Sequence, residues 1–242
     1  MAKRRVKAYH DSEFINGKDA RALRILAEYL EPKARFEAHG LEDTIVFFGS
    51  ARTAPDSKYY EAARRLAFRL TQWSKGLAST ERRFVVATGG GPGIMEAANR
   101  GASEAKGLTA GIGISIPIEQ TDNAYITRGL SFHFHYFFMR KFWFAYLAKA
   151  MIAFPGGFGT LDEIFETLTL VQTKKMRKPM PIVLFGTEYW NDVINFDALV
   201  RHGTISPEDV DLFHRTDSVD ETFDWLVGQL TEHALGKPGA ML

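Results

Sequence analysis

The 242-residue chain contains no cysteine, which excludes disulfides, zinc–thiolate centres and thiol nucleophiles. Net charge is nearly absent as well. Thirty Lys and Arg stand against 29 Asp and Glu, leaving +1, whereas a nucleic-acid-binding surface would show as a strong basic bias. No apolar run approaches the length of a membrane span. The basic start, Met1 to Lys7, is followed by no apolar stretch, so it does not read as a secretory signal and the cytoplasm is the default location. There is no internal repeat and no low-complexity tract.

Two nucleotide fingerprints are also missing. No Gly-x-Gly-x-x-Gly follows the first apolar strand, and the turn Gly89-Gly-Gly-Pro-Gly93 has proline inside it. Gly159 is followed by Thr160 and not by Lys-Ser/Thr, so there is no Walker A lysine. Binding of NAD and hydrolysis of ATP are both disfavoured on these grounds, and the pattern calls for no cofactor.

What is present is an ordinary globular composition, 45% apolar and 24% charged, at a length suited to one substantial domain. Residues 1–40 read as a helical extension, with one amphipathic helix from Asp19 to Glu31 stopped by Pro32. Strands are then expected at Thr44–Phe48, Phe84–Ala87, Thr109–Ile116 (ended by Pro117), Ala150–Ala153 and Pro181–Phe185. Helices are expected near 56–75, from Gly93 through Ala105, from Phe132 to Lys149, after Thr160, and over 188–201 and 219–234, with 117–130 irregular. This alternation predicts an α/β fold, a doubly wound parallel sheet with helices on both faces. Residues 41–235 form its single domain and 236–242 a flexible tail.

Three glycine-containing turns follow apolar strands: Gly49-Ser50, Gly89 to Gly93, and Gly156 to Gly159. In an open α/β sheet ligands bind outside the carboxyl ends of the strands. Bare backbone N–H groups at a helix start suit a phosphate, so a nucleotide or sugar phosphate is the expected ligand. Glu163 follows within one turn of the third loop. Thr160-Leu-Asp-Glu163 is also the pattern of a capping box, in which both side chains serve the helix end, so the spacing leaves a structural and a chemical reading open.

The segment Ser131 to Tyr146 is apolar on nearly every side but carries Arg140 and Lys141 in its middle. A buried cation needs an anion. For both, one reading is an internal salt bridge or a snorkelling side chain, which is the simpler one for Lys141; the other is that Arg140 faces a substrate phosphate or ribose. His133 and His135 lie two apart on the expected helix, so they cannot clamp one metal; no metal site is expected, and buried or interface histidines are. So aromatic a helix also predicts a homodimer or a higher homo-oligomer.

Taken together these residues resemble the LONELY GUY (LOG) family, often labelled lysine decarboxylases. Its hallmark Pro-Gly-Gly-x-Gly-Thr-x-x-Glu is met at every specified position by Pro155 to Glu163, its Arg-Lys pair by Arg140-Lys141, and its Gly-Gly-Gly-x-x-Gly-x-Met loop by Gly89 to Met95. The resemblance covers about residues 43–200. It implies a Rossmann-like phosphoribohydrolase acting on a nucleoside 5′-monophosphate, AMP or a cytokinin nucleotide, and releasing the free base and ribose 5-phosphate. Arg140 and Glu163 are then the catalytic pair. Gly49, Ser50, Gly89, Gly90, Gly91, Gly93, Met95, Lys141, Gly156, Gly157, Gly159 and Thr160 are the implied phosphate- and nucleotide-binding set. The chain departs from the short plant-type members in its N-terminal extension, in Phe137-Phe-Met139 before Arg140, and in Glu119 to Asn123. The alternative is a non-catalytic nucleotide sensor using the same cradle. A decarboxylase would need a lysine Schiff base to pyridoxal phosphate, and no partner for the pyridinium is evident.

Overall fold

The computed structural model describes residues 6–79, 81–115 and 123–239. Helices α1 (Ser12–Asn16) and α2 (Arg21–Ala38) precede strand β1 (Thr44–Phe48). There follow α3 (Lys58–Lys75), β2 (Val85–Thr88), α4 (Ile94–Glu104), β3 (Thr109–Ile114), β4 (Ser131–Phe134), α5 (Phe137–Leu147) and β5 (Ala148–Ala153). The chain continues through α6 (Phe158–Gln172), β6 (Ile182–Phe185), α7 (Thr187–Val193), α8 (Phe196–Arg201), β7 (His214–Thr216) and α9 (Val219–His233).

Among the described residues the strands form one seven-stranded sheet in the order β4-β3-β2-β1-β5-β6-β7, and every pairing between them is parallel. Alternate residues of the central strands serve opposite layers, as the two-residue period of a strand requires. Ile45 and Phe47 of β1 pack beneath α3, α4 and α9, while Val46 and Phe48 join the layer that holds α2, α5 and α6. The expected doubly wound, Rossmann-like α/β fold is therefore the observed one. Strand order runs outward in both directions from β1, so the switch point lies between β1 and β5, and the loops leaving those two strands face one crevice.

Several expected boundaries are corrected. Pro32 does not stop the first long helix; α2 passes through it to Ala38. Proline has no N–H to give to the carbonyl of Glu28 four residues back, and the indole Nε1 of Trp143 donates to that oxygen at 3.0 Å. A tertiary donor thus takes the place of the missing helical one.

The long aromatic helix is also corrected, into strand, helix and strand. Phe132 and Phe134 are buried while His133 and His135 are exposed, a two-residue period that pairs β4 with β3. Both histidines thus lie on the surface and not in the core. The distal end, Ala148 and Lys149, belongs to β5. A run that is apolar all round carries no period to separate these states.

The expected helix over 188–201 is two, because Asn195 caps a new one: its side chain accepts the N–H of Ala198 at 2.8 Å. The short edge strand β7 had no apolar run to announce it. Ile116, Pro117 and Glu119 to Asp122, together with Met1 to Arg5 and 240–242, lie outside the described residues.

The amino ends of the strands hold a buried charged cluster. Asp43, fully buried, accepts Arg83 Nε at 2.7 Å and the N–H of Phe84 at 2.6 Å. Arg83 also donates to the carbonyls of Ala234 at 2.9 Å and Leu235 at 3.0 Å, and Lys149 donates to that of Lys237. The polypeptide leaving α9 is thereby tied to the sheet as far as Lys237. Lys178 donates to the carbonyls of Ala145 and Tyr146 at 2.7 and 2.9 Å, placing an amine at the negative end of α5. Burial pushes that amine down to about 7.

Candidate active site

Gly49 and Ser50 leave β1 beside the loop that leaves β5, and the two are laced together by backbone: Ser50 N–H donates to Pro155 O at 2.9 Å. A side chain at Gly49 would strike Ile94 at 2.7 Å. One at Gly156 would collide with Thr160 and approach the carbonyl carbon of Gly49 to 3.1 Å. These glycines exist so that three loops can touch. Gly93, at φ 69°, is required for a different reason: a Cβ there would collide with Ser50 O, the acceptor of the first N–H of α4.

Gly157 and Gly159 differ from the rest. Nothing lies within 4 Å of a Cβ built on either, so internal packing does not demand glycine, and side chains there would project into open space. Both line a cleft of about 600 Å³ together with Gly49, Ser50, Arg52, Met95, Arg140, Gly156, Thr160, Glu163 and Tyr189. That volume suits a nucleotide-sized ligand.

The helix α6 begins at Phe158, with Gly157 as its N-cap and no side-chain cap bond. The capping-box reading of Thr160 and Glu163 is thereby overturned. The helix starts three residues earlier than that box needs, so Thr160 is its third residue and Glu163 its sixth. The first N–H groups of α6 lack helical acceptors, and no acidic side chain stands in its first turn to neutralise them.

Glu163 instead turns into the protein. It is 4% exposed, and its Oε1 is buried without a hydrogen-bond partner. Burial pushes its carboxyl up to about 7, against the opposing pull of Arg140 and then Lys141. A buried carboxylate oxygen without a partner is costly to stability, and the residue that carries it borders the cleft, which makes Glu163 a candidate for a chemical role.

Arg140 reaches the cleft from α5. Its Nε donates to Ile112 O at 2.9 Å, and its guanidinium lies 5.2 Å from the Phe144 ring centre. Burial lowers its pKa, offset by Glu163 and Asp162. Among the described residues no carboxylate lies within ion-pair distance (4.0 Å) of Arg140, and its terminal amino groups have no hydrogen-bond acceptor. A side chain at Gly89 would press on Arg140 Nη2 at 2.9 Å and Met95 Sδ at 2.8 Å. Gly89 therefore makes room for the cation, and does not itself line the cleft.

Gly90, at φ 80°, and Gly91 lie behind this wall. Asn123 Nδ2 donates to both their carbonyls at 3.1 Å and to Asn99 Oδ1 at 2.9 Å. Lys141 points elsewhere, onto Asp162 at 2.8 Å and Glu166 at 2.7 Å. The structure thus gathers Gly49, Ser50, Met95, Arg140, Gly156, Gly157, Gly159, Thr160 and Glu163 around one cleft. It places Gly89, Gly90, Gly91 and Gly93 in the supporting layer, and Lys141 in a salt-bridge network. Sequence reasoning missed Arg52 and Tyr189. Arg52 follows the first glycine turn directly and was there to be noticed; Tyr189 sits in no motif.

The sheet, its switch point and this cleft define a Rossmann-like α/β protein with an open crevice at the carboxyl ends of β1 and β5. Residues 95–226 match the model of the family described as "Possible lysine decarboxylase". The chain belongs to that family, the LOG family. A 69-residue stretch is 44% identical to cytokinin riboside 5′-monophosphate phosphoribohydrolase LOG7 of Arabidopsis thaliana, covering 28% of this chain and 31% of the relative. A 96-residue stretch is 35% identical to LOG3 of the same plant, covering 39% and 42%. The aligned part thus spans less than half of each of these relatives. Among solved structures, the structural-genomics target TM1055 aligns with a TM-score of 0.54 at 21% identity, over 77% of this chain and 99% of its own. The Moco carrier protein from Chlamydomonas reinhardtii aligns with a TM-score of 0.52 at 21% identity, over 78% and 99%. These two likenesses concern the fold.

Proposed function

We propose that the protein hydrolyses the N-glycosidic bond of a nucleoside 5′-monophosphate, releasing the free base and ribose 5-phosphate. The observation that carries this reading is the unpartnered, buried Glu163 carboxylate, set in the same cleft as Arg140 and the open start of α6. The named activity of the LOG relatives supports it. No lysine lines the cleft among the described residues, so a pyridoxal Schiff base has no amine there.

The 5′-phosphate would sit on the N–H groups of Gly157, Gly159 and Thr160 at the positive end of α6, with a guanidinium from Arg140 or Arg52 in reach. Holding the phosphate fixes the ribose by binding energy remote from the reacting bond. As the C1′–N bond breaks, positive charge builds on the ribose, and the Glu163 carboxylate stabilises it. Water adds its oxygen to C1′ and gives up a proton while the departing base gains one. Glu163 is placed either to take that proton or to orient the water.

The test is incubation with AMP, GMP, CMP, UMP and isopentenyl-AMP, followed by chromatography for the free bases. Tight binding of several monophosphates with no base released would remove the hydrolase reading and favour a nucleotide sensor.

We place this activity in the cytoplasm, where such monophosphates occur; no helix among the described residues is long and apolar enough to cross a membrane. We also propose a homodimer. Phe137 and Phe138 at the start of α5 are 46% and 54% exposed, and Phe158 of α6 is 92% exposed, surface that a second copy would cover. Sedimentation of a monomer at micromolar concentration would exclude it.

A further inference from the structure

The glycine loop beneath the cleft contains a Gly156–Gly157 peptide, the type of linkage with the least steric resistance to turning over. Its direction matters. A trans peptide holds its C=O and N–H on opposite sides of one plane, so whichever way the Gly156 carbonyl points, the Gly157 N–H points the other way. Turned over, the carbonyl oxygen would stand among the N–H groups at the start of α6, where it would repel an anion.

One side chain holds this peptide. Tyr189, on α7, donates its hydroxyl to Gly156 O at 2.7 Å. The tyrosine is itself fixed: its ring packs edge-on against Trp190 at 5.0 Å. Trp190 is fully buried and donates Nε1 to Phe185 O at 2.9 Å. Gly186, at φ 99°, sets the entry of α7 so closely that a Cβ there would meet Pro155 at 3.1 Å and Tyr59 at 3.1 Å. The Gly157 N–H makes no hydrogen bond to the described chain, and Gly157 borders the cleft. The carbonyl is thus satisfied by α7 while the opposite N–H is left for the cleft.

We infer that Tyr189 is a positioning residue that locks the Gly156–Gly157 peptide in the orientation that accepts the substrate phosphate. This rests on the phosphate cradle proposed above and adds a residue that no motif of the sequence contains. It touches no reacting atom and acts through the loop. Its loss should therefore fall on phosphate recognition and not on the nucleoside part of the ligand.

The experiment compares wild type with Tyr189→Phe, which keeps the ring against Trp190 and removes only the hydroxyl. Binding of inorganic phosphate and of ribose 5-phosphate is measured by calorimetry, alongside that of the unphosphorylated nucleoside. KM and kcat are measured on the best monophosphate, and thermal unfolding controls for folding. The expected result is a loss of phosphate and ribose 5-phosphate affinity of about fivefold or more, the size of one neutral hydrogen bond. KM should rise by a similar factor, with kcat, nucleoside binding and melting temperature nearly unchanged. Unaltered phosphate affinity in Tyr189→Phe overturns the lock. Equal losses for nucleoside and phosphate, with a lowered melting temperature, overturn it in favour of a purely structural tyrosine. Wild type that binds phosphate without releasing base removes the hydrolase reading, and the phosphate arm still decides the lock. Wild type that binds no phosphate removes the cradle and the lock together.

Discussion

Trp143 donates its indole N–H to the carbonyl of Glu28, the oxygen that Pro32 leaves without a helical donor. The same Glu28 uses its carboxylate to accept the N–H groups of His135 at 2.7 Å and Tyr136 at 3.2 Å. One residue of α2 therefore grips the start and the middle of the segment that carries Arg140. The N-terminal extension is a brace on the proposed catalytic helix, not an appendage.

A double-mutant cycle tests this grip. Trp143→Phe leaves the Glu28 carbonyl unpaired and should cost about 1–3 kcal/mol in denaturant unfolding. In a Pro32→Ala background the new N–H can satisfy that carbonyl within α2, so the Trp143→Phe penalty should shrink by about 1 kcal/mol. Equal penalties in both backgrounds would show that Trp143 acts by packing alone.

Glu163→Gln should lower base release by roughly 10²-fold or more, since the side chain keeps its shape and loses its charge. Stability should move in the opposite direction. The folded carboxyl stands at about 7, above its ordinary 4.5. Its contribution to stability is therefore full below pH 4.5 and is lost as pH rises through about 7. The Gln variant lacks this loss and should be more stable than wild type at pH 8, by a few kcal/mol at most. Melting curves from pH 5 to 8 decide it; parallel curves would mean that Glu163 is not strained by burial.

Arg140 pulls the Glu163 carboxyl down against burial. If ionised Glu163 is the working form, kcat/KM should rise with pH through about 7 in wild type. Arg140→Ala removes the strongest opposing charge, so the same limb should move to higher pH while phosphate-bearing ligands weaken more than nucleosides do. A limb that stays in place would detach Arg140 from the ionisation of Glu163.

The buried pair of Asp43 and Arg83, with side chains 0% and 5% exposed, should be intolerant of one-sided change. Asp43→Ala strands the guanidinium and should cost about 3–5 kcal/mol. A loss under 1 kcal/mol in urea unfolding would show that the carbonyls of Ala234 and Leu235 suffice for Arg83.

The central sheet was readable from the chain because its strands are buried on both sides and stand out as apolar runs such as Thr44 to Phe48 and Ala150 to Ala153. The glycine turns were readable because contact between loops excludes a Cβ at Gly49 and Gly156. Ser131 to Lys149 was not, since an apolar residue at nearly every position erases the difference between periods of two and 3.6. Pro32 misled because its missing hydrogen bond is supplied by Trp143, more than a hundred residues away, and such compensation leaves no local trace. Thr160 and Glu163 carried a capping pattern that only the true start of α6, at Phe158, could dismiss. Tyr189 was invisible for a similar reason: its hydroxyl donates to a backbone oxygen, which any sequence would offer.

The tie between Arg83 and the carbonyls that follow α9 has a consequence for how the chain is made. Asp43 and Arg83 leave the ribosome early, yet two of the acceptors that Arg83 needs arrive only with residues 234 and 235. Until then the nascent protein carries a cation that cannot be buried fully satisfied. The amino end of the sheet thus stays poised for late closure during synthesis, even though β1 and β2 are already in hand.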